Sequence, residues 1–243
     1  MPNDLSKLFS INPDLDRKAL AKTFKSQGNR LQIADVLNDK SAALLHATLL
    51  RNTPWGFAWF DGTHQFMRNE EARAKSPQDF AALNQSIMER ARAHYTYLYY
   101  CYPMLQAYLE KWHPDHVLMR FLEFLNSAPM LELVREISGL SDLFKADAQA
   151  TFFGPSHFLL RHSDDVPGQH RRMAYVFGFS KDWREDWGGY LQFFKDNADM
   201  DLAMMPRFNV LSIFTTDHIH SVGQVAPFAT APRLSITGWF RDQ

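Results

Sequence analysis

The 243-residue sequence has little cysteine and no long apolar run, and both absences restrict what the protein can be. Cys101 is the only cysteine, so no disulfide can form within the chain and no oxidising compartment is required. No run of about 18 uninterrupted apolar residues occurs, and the first residues lack the apolar core of a signal peptide. We therefore expect a cytoplasmic protein without a membrane span, in which Cys101 is a buried apolar residue.

The charge balance lacks an excess of either sign. Lys and Arg together number 26 and Asp and Glu 27, which gives a formal net charge of −1. Nucleic-acid binding driven by counterion release and polybasic binding to membranes both require a basic surface, so we expect neither partner. Apolar residues make up 46% of the chain, enough for a core of ordinary size. Nothing in the sequence specifies an oligomeric state.

The first part of the chain, up to about residue 140, has mainly helical periodicity. Only the segments 31–37 and 56–60 are typical of strands there, and both could join a sheet formed by later residues. The tyrosine-rich run 95–102 is interpreted as part of a helix. Apolar residues recur at intervals of three and four in the segments 15–24, 77–108, 117–125 and 130–137.

After about residue 140 the pattern changes to short β-prone runs separated by turns. Strands at such spacing predict an antiparallel sandwich or barrel. We expect one α+β catalytic domain over 1–243, in which about 1–140 is a largely helical support with one or two strands and about 141–243 is the mainly β core. The expected strands are 148–153, 158–162, 173–179, 190–194, 209–215, 221–225 and 234–240.

The motif His162-Ser-Asp164 is the most informative part of the sequence. Side chains alternate along a strand, so His162 and Asp164 point to one face and can bind one metal ion, whereas Asp165 points away. A second histidine is required, and either His218 or His220 of a later β-run can supply it. Two histidines and one carboxylate form the facial triad of non-haem Fe(II) oxygenases.

A second pattern lies near the end of the chain, where Arg233 and Ser235 share one face of a strand. The planar guanidinium of an arginine can bind a carboxylate through two hydrogen bonds, and a neighbouring hydroxyl can add a third. This pair can therefore bind a carboxylate, and the distal carboxylate of 2-oxoglutarate requires contacts of this kind.

Taken in order, these motifs resemble those of the 2-oxoglutarate/Fe(II)-dependent dioxygenases, in particular the prolyl-hydroxylase-like branch. The resemblance covers the segment 158–240. The matching elements are His162-x-Asp164, Arg171 or Arg172 at the start of a strand, Trp183, Gly188-Gly189-Tyr-Leu191, Pro206-Arg-Phe-Asn209-x-Leu211-x-x-Phe214, His220-x-Val222-x-x-Val225 and Arg233-x-x-Ile-Thr-x-Trp239.

The resemblance implies a double-stranded β-helix, or jelly roll, that holds Fe(II) through His162, Asp164 and His220 and anchors 2-oxoglutarate at Arg233. It implies hydroxylation of a C–H bond with O₂, coupled to decarboxylation of 2-oxoglutarate to succinate and CO₂, with ascorbate as an optional reductant. A prolyl residue of a peptide or protein, free proline or another small molecule would be the substrate.

The resemblance also suggests residues around these central ones. Many relatives contact 2-oxoglutarate through a tyrosine, and Tyr175 is the candidate here, together with Ser235. Arg172 and Trp183 are candidates for substrate binding. The sequence does not separate Arg172 from Arg171, and Trp183 fits a role in closing the barrel edge equally well. No catalytic residue is expected beyond the iron ligands.

Two alternative functions keep the same fold. One is a non-catalytic jelly-roll binding protein, which the complete set of His162, Asp164 and His220 with Arg233 argues against. The other is a metal-dependent cupin of different chemistry, which the order of the motifs and the Arg233-x-Ser235 pair disfavour.

Overall fold

The protein is described here by a computed structural model that covers residues 5–242. One antiparallel sheet curls into a nearly closed, jelly-roll-like barrel, and helices cover its outer face. Within this part of the chain, no helix has the length and apolar character that crossing a bilayer would require.

The chain alternates between helices and strands in its first part and consists almost entirely of strands in its second. The α-helices are α1 (Arg17–Ser26), α2 (Asp39–Arg51), α3 (Asn69–Ala74), α4 (Pro77–Arg90), α5 (Met104–Leu109), α6 (Val117–Leu125) and α7 (Ala128–Ser138). The strands are β1 (Arg30–Ala34), β2 (Gly56–Phe60), β3 (His64–Met67), β4 (Tyr97–Tyr102), β5 (Lys145–Ala146), β6 (Gln149–Phe153), β7 (Phe158–His162), β8 (Arg171–Phe179), β9 (Leu191–Phe194), β10 (Met200–Met204), β11 (Phe208–Thr215), β12 (His220–Val222) and β13 (Arg233–Arg241).

Short polar side chains determine where several helices begin. The first amides of a helix have no partner within it, and a side-chain oxygen just before the helix can accept a hydrogen bond from one of them. Asp16 does so at α1 and Asn38 at α2. Helix α7 ends at Gly139, whose φ of 76° lies in the left-handed region that glycine adopts without strain.

Strand β4 turns the sheet back on itself. The strand order is β1-β11-β8-β13-β6-β4-β7-β12-β9-β10, with β2 and β3 attached to β4 and β5 to β13. Residues 100–102 of β4 pair with β6, whereas Tyr97 and Leu98 pair with β7. Because one strand belongs to both parts of the sheet, the two parts enclose a cavity.

The outer face of the sheet packs against the helices and forms the main core. Phe177 of β8, for example, is fully buried and meets Phe121 of α6 edge to face, with ring centroids 5.5 Å apart. Tyr175, Ile236 and Phe240 belong to the same core. Side chains alternate along these strands, so the residues between them face the cavity.

The predicted jelly roll is confirmed, but the first part of the chain contains more sheet than the sequence predicts. Strands β3, β4, β5 and β10 are not predicted. The predicted strands are present with shifts of up to two residues, except that β1 and β12 each end three residues earlier than predicted. The helical interpretation of 95–102 is wrong. Helix α4 ends at Arg90, and the tyrosines beyond it form β4, in keeping with the preference of aromatic residues for strands.

Asn209 joins the end of β1 to β11. It is 2% exposed and has a φ of 54°, a conformation that asparagine tolerates better than most residues. Its Oδ1 accepts from the backbone N of Leu37 at 3.1 Å and its Nδ2 donates to the backbone O of Leu37 at 2.8 Å. The side chain of Asn209 therefore supplies both hydrogen-bond partners that the backbone of Leu37 would otherwise need from a neighbouring strand.

We expect Asn209→Ala to lower the free energy of unfolding by about 2–4 kcal/mol, because each buried backbone group left unpaired costs about 1–3 kcal/mol. Urea unfolding followed by circular dichroism measures this loss. Asn197→Ala removes an exposed asparagine and should change the stability by no more than about 0.5 kcal/mol. Equal losses in the two variants would contradict the structural role of Asn209.

Candidate active site

The barrel encloses a cavity of about 500 Å³, a size typical of ligand pockets. One wall is aromatic: the rings of Tyr97, Tyr99 and Phe153 stack in a row, with centroid separations of 5.0 and 4.8 Å. Cys101 follows on the same face of β4. Histidine, aspartate and arginine side chains face the same space, so the cavity combines an apolar wall with a few polar groups.

His162, Asp164 and His220 cluster in the cavity wall. Strands β7 and β12 pair so that His162 lies directly opposite His220, and the ring centroids are 4.3 Å apart. Asp164 follows β7. Its Oδ1 lies 3.7 Å from Nε2 of His162, and its Oδ2 lies 3.5 Å from Nε2 of His220. The potential ligand atoms of the three residues are all within 4.8 Å of one another.

Backbone contacts fix the orientation of both imidazoles. Nδ1 of His162 lies 2.9 Å from the carbonyl oxygen of Leu160, and Nδ1 of His220 lies 3.0 Å from that of His218. A carbonyl only accepts hydrogen bonds, so each Nδ1 carries a proton, and in the neutral ring Nε2 holds a free lone pair.

This arrangement fits a metal ion. Burial, reinforced by the neighbouring His162, lowers the pKa of His220 to about 4, so His220 is neutral at physiological pH. Its Nε2 lone pair then faces the Asp164 carboxylate, and electron-rich atoms so placed repel each other unless a cation lies between them. Two neutral imidazoles and a carboxylate are the donor set of the facial triad.

Arg233, the first residue of β13, is buried in the cavity wall with few partners. Its Nη1 donates to Oγ of Ser235 at 3.2 Å, and Ser235 is in turn hydrogen-bonded to Oγ1 of Thr151 at 2.7 Å. Nε of Arg233 has no partner in the described part of the chain. The guanidinium carbon lies 5.0 Å from the centroid of Phe153.

The charge of Arg233 is not neutralised by the protein. No carboxylate within residues 5–242 forms an ion pair with it, and burial lowers its pKa to about 10. The guanidinium nevertheless stays protonated at neutral pH. A buried cation without an anion is unfavourable, so the site is suited to an anionic ligand.

The Gly188-Gly189 pair allows the chain to pass close to Arg233. Both glycines have positive φ, 65° and 67°. A Cβ at Gly189 would lie 3.1 Å from the ring of Trp183 and 3.3 Å from Cδ of Arg233. Glycine is required here by both the conformation and the available space.

The structure distinguishes between the residues that the sequence left as alternatives. Asp164 is buried and points to the histidines, whereas Asp165 is exposed. The strand ends at His162, so Asp164 reaches the inner face from the following segment rather than by strand alternation. His218 lies outside the cluster, with its Nε2 2.7 Å from the carbonyl oxygen of Gly28.

Tyr175, predicted to contact 2-oxoglutarate, does not line the cavity. Tyr175 is fully buried in the core on the helical side of β8, where its hydroxyl donates to the carbonyl oxygen of Asp147 at 2.6 Å. Its neighbours Ala174 and Val176 line the cavity instead. The alternation of side chains along β8 separates Tyr175 from the site.

The structure places neither of the two residues predicted to bind substrate, Arg172 and Trp183, in the cavity lining. Arg172 forms ion pairs with Asp142 at 2.7 Å and Asp242 at 2.8 Å and does not line the cavity, whereas Arg171 does. Trp183 is 7% exposed and packs edge-on against Trp187, with centroids 5.3 Å apart. It belongs to a buried apolar cluster that includes Val222 and Val225.

Sequence reasoning missed the aromatic wall and Thr151. Residues two apart in sequence lie on the same face of a strand, and this spacing was the signal for both features. Thr151 and Phe153 are two apart on a predicted strand, and Tyr97 and Tyr99 are two apart in the run that the sequence analysis assigns to a helix. Only the pairing of β4 with β6 and β7 shows that these side chains meet.

An antiparallel jelly roll with a two-histidine, one-carboxylate cluster at its cavity is the architecture of a non-haem, metal-dependent oxygenase. Residues 148–241 match the family model described as the 2OG-Fe(II) oxygenase superfamily. This match covers less than half of the chain. Together with the clustered donor residues, it identifies a 2-oxoglutarate-dependent dioxygenase, a class that uses Fe(II), 2-oxoglutarate and O₂. No curated protein matches the chain.

Several solved structures share the fold over nearly the whole chain. A Pseudomonas putida prolyl-4-hydroxylase is 18% identical, with a TM-score of 0.57 and coverage of 96% of this chain and 94% of its own. A Trichoplax adhaerens prolyl hydroxylase in complex with a hypoxia inducible factor peptide fragment is 16% identical. Its TM-score is 0.59, and the match covers 93% of this chain and 89% of its own. At these identities the likeness shows the fold alone.

The same fold also occurs in a protein with a different reaction. The non-haem alpha-ketoglutarate-dependent epimerase SnoN from nogalamycin biosynthesis is 12% identical, with a TM-score of 0.54 and coverage of 91% of this chain and 80% of its own. The reaction of the present protein must therefore be argued from its site.

We expect Arg233→Met to stabilise the ligand-free protein by about 1–3 kcal/mol, because methionine fills similar space without the desolvation of an unpaired cation. The pKa of Arg233 is lower in the folded state, so its protonated form opposes folding at every pH below about 10. The gain, measured by urea unfolding, should therefore be constant from about pH 6 to 9. Arg184→Met removes an exposed arginine and should have little effect. A destabilised Arg233→Met protein would contradict this account.

Proposed function

We propose that the protein hydroxylates a C–H bond of a prolyl residue or a related amino-acid substrate. In this proposal His162, Asp164 and His220 hold Fe(II), and Arg233 anchors 2-oxoglutarate. One observation carries the proposal: the three clustered donor residues and an unpaired buried arginine line the same cavity.

The three donor residues would hold the iron through atoms that already face one another. The carbonyls of Leu160 and His218 keep the Nε2 lone pairs of both imidazoles directed at the cluster. Phe214 packs edge-on against the ring of His220, with centroids 4.7 Å apart, and limits water access on that side. Bound Fe(II) would supply the activation of O₂ at the expense of 2-oxoglutarate, which is what hydroxylation of an unactivated C–H bond requires.

Arg233 would bind the distal carboxylate of 2-oxoglutarate. The ligand would neutralise the buried guanidinium, and the hydroxyl of Ser235, already held by Arg233 and Thr151, lies beside it. Charge-assisted bidentate contacts of this type are among the strongest hydrogen bonds in proteins. They would fix the co-substrate at one end of the cavity.

The class of substrate is supported by the cavity wall and by the structural neighbours. Two of those neighbours are prolyl hydroxylases, and one of them is bound to a peptide fragment. The stacked rings of Tyr97 and Tyr99 offer an apolar surface to an amino-acid side chain. Because His64 of β3 and the tyrosines of β4 line the cavity together with the C-terminal strands, we propose that 1–243 acts as a single catalytic domain.

We expect His162→Ala and His220→Ala to lose bound Fe(II), because two remaining donors cannot complete the facial triad. Anaerobic Fe(II) loading followed by metal analysis checks this. His218→Ala and Asp165→Ala are the matched controls and should keep about one iron per chain. Loss of iron from His218→Ala with retention in His220→Ala would reassign the third ligand.

We expect the wild-type protein with Fe(II) and O₂ to convert 2-oxoglutarate to succinate when peptides containing proline, or free amino acids, are supplied. Arg233→Ala should raise the KM for 2-oxoglutarate by about 100-fold or more, since about 1.4 kcal/mol corresponds to each tenfold. Arg233→Lys should recover only part of this loss, because an ammonium group lacks the planar fork.

Iron analysis of Arg233→Ala controls for folding, and two results of the activity assays would favour another function. Iron binding should survive in Arg233→Ala, since Arg233 is not a ligand, and its loss would point to misfolding. Absence of 2-oxoglutarate turnover with every substrate would favour a non-catalytic binding protein. Oxygen-dependent activity that does not need 2-oxoglutarate would favour a cupin of other chemistry.

A further inference from the structure

A second cation, Arg171, lines the cavity at the start of β8. Its guanidinium carbon lies 3.5 Å from the ring centroid of Trp239, so the two side chains are stacked. Nε of Arg171 is buried and has no hydrogen-bond partner among residues 5–242, and the same holds for Nε1 of Trp239. Two neighbouring cavity-lining side chains therefore each carry a buried N–H group without an acceptor, which is uncommon in folded proteins.

No carboxylate among residues 5–242 forms an ion pair with Arg171. The carboxylate of Asp147 is engaged elsewhere: its Oδ2 accepts from Nε of Arg241 at 2.9 Å, and its Oδ1 accepts from the backbone N of Trp239 at 2.9 Å. Asp164 faces the two histidines. Burial lowers the pKa of Arg171 despite the opposing influence of Asp164, yet an arginine remains protonated at neutral pH.

The cavity is lined by more cations than anions. In the described lining, the Asp, Glu, Lys and Arg side chains are Asp164, Arg171 and Arg233. Under the proposed function, Asp164 binds the metal and Arg233 binds 2-oxoglutarate. Arg171 then remains as a cation without an assigned anion, next to the space left for the substrate.

We propose that Arg171 and Trp239 bind a carboxylate of the substrate. This inference rests on the proposed function and narrows it, because it requires an acidic substrate: a free carboxylic acid, or a peptide with an Asp or Glu side chain near the reacting residue. Stacking on an indole holds a guanidinium in place while leaving its edge able to donate to both oxygens of a carboxylate. The aromatic wall of Tyr97 and Tyr99 would contact the apolar part of the same molecule.

Calorimetric binding to the anaerobic protein loaded with Fe(II) and 2-oxoglutarate tests this without turnover. The probes are N-acetyl amino acids and their carboxamides, and heptapeptides with an internal Asp or Glu and their Asn or Gln counterparts. We expect at least one acid to bind about tenfold or more tightly than its matched amide, as loss of a charge-assisted pair predicts. A preference among the N-acetyl amino acids would indicate that the substrate is a free carboxylic acid. A preference among the heptapeptides would indicate that the site binds a side-chain carboxylate.

Three variants test which residues cause the acids to bind more tightly than their amides. Arg171→Gln should abolish the difference between acid and amide, and Trp239→Phe, which keeps a ring but removes the N–H, should reduce it. Arg172→Gln, a change at the adjacent arginine that faces away from the cavity, should leave it intact.

The outcomes separate this inference from the proposed function. If wild-type protein neither binds 2-oxoglutarate nor forms succinate, the proposed function fails. If 2-oxoglutarate turnover is normal, the carboxylate assignment is overturned by any of three results: no acid in the panel binds, acids and amides bind alike, or Arg171→Gln keeps the preference.

Discussion

The pairing of β7 with β12 is the constraint on which the site depends. It places His162 opposite His220 and lets Asp164, just beyond the strand, reach both. Strand β12 is three residues long and is hydrogen-bonded on its other side to β9. A short strand held on both sides has little freedom to shift, and a slip by one residue would turn His220 out of the cluster. The barrel around it supplies that double support.

The cavity holds groups that oppose folding until a ligand completes them. Electron-rich atoms face one another in the histidine–aspartate cluster, and Arg233 is a buried cation without an anion. Such arrangements are retained where function requires them, at the expense of stability. The large aromatic core between the sheet and the helices provides the compensating stabilisation, because it buries side chains such as Phe177 and Phe121 completely.

Local patterns were sufficient for seven of the nine strands of the second part, all except β5 and β10. They also identified His162 and Asp164, which are neighbours in sequence, but did not choose between His218 and His220. They were insufficient where the face of a strand mattered. Tyr175 and Arg172 were each chosen one position away from residues that line the cavity, Val176 and Arg171. Side chains alternate with a period of two, so such an error changes an inward residue into an outward one. Strand β4 was missed because its partners lie far along the chain.

The position of Cys101 has a consequence for how long the protein can work. This thiol lies in the wall of a cavity that, in this class of enzyme, handles O₂. Oxidation of cysteine proceeds through the thiolate. Burial raises the pKa of Cys101 to about 12, so essentially no thiolate exists at neutral pH. The same packing that makes the wall apolar thus protects its sulfur from oxidative damage.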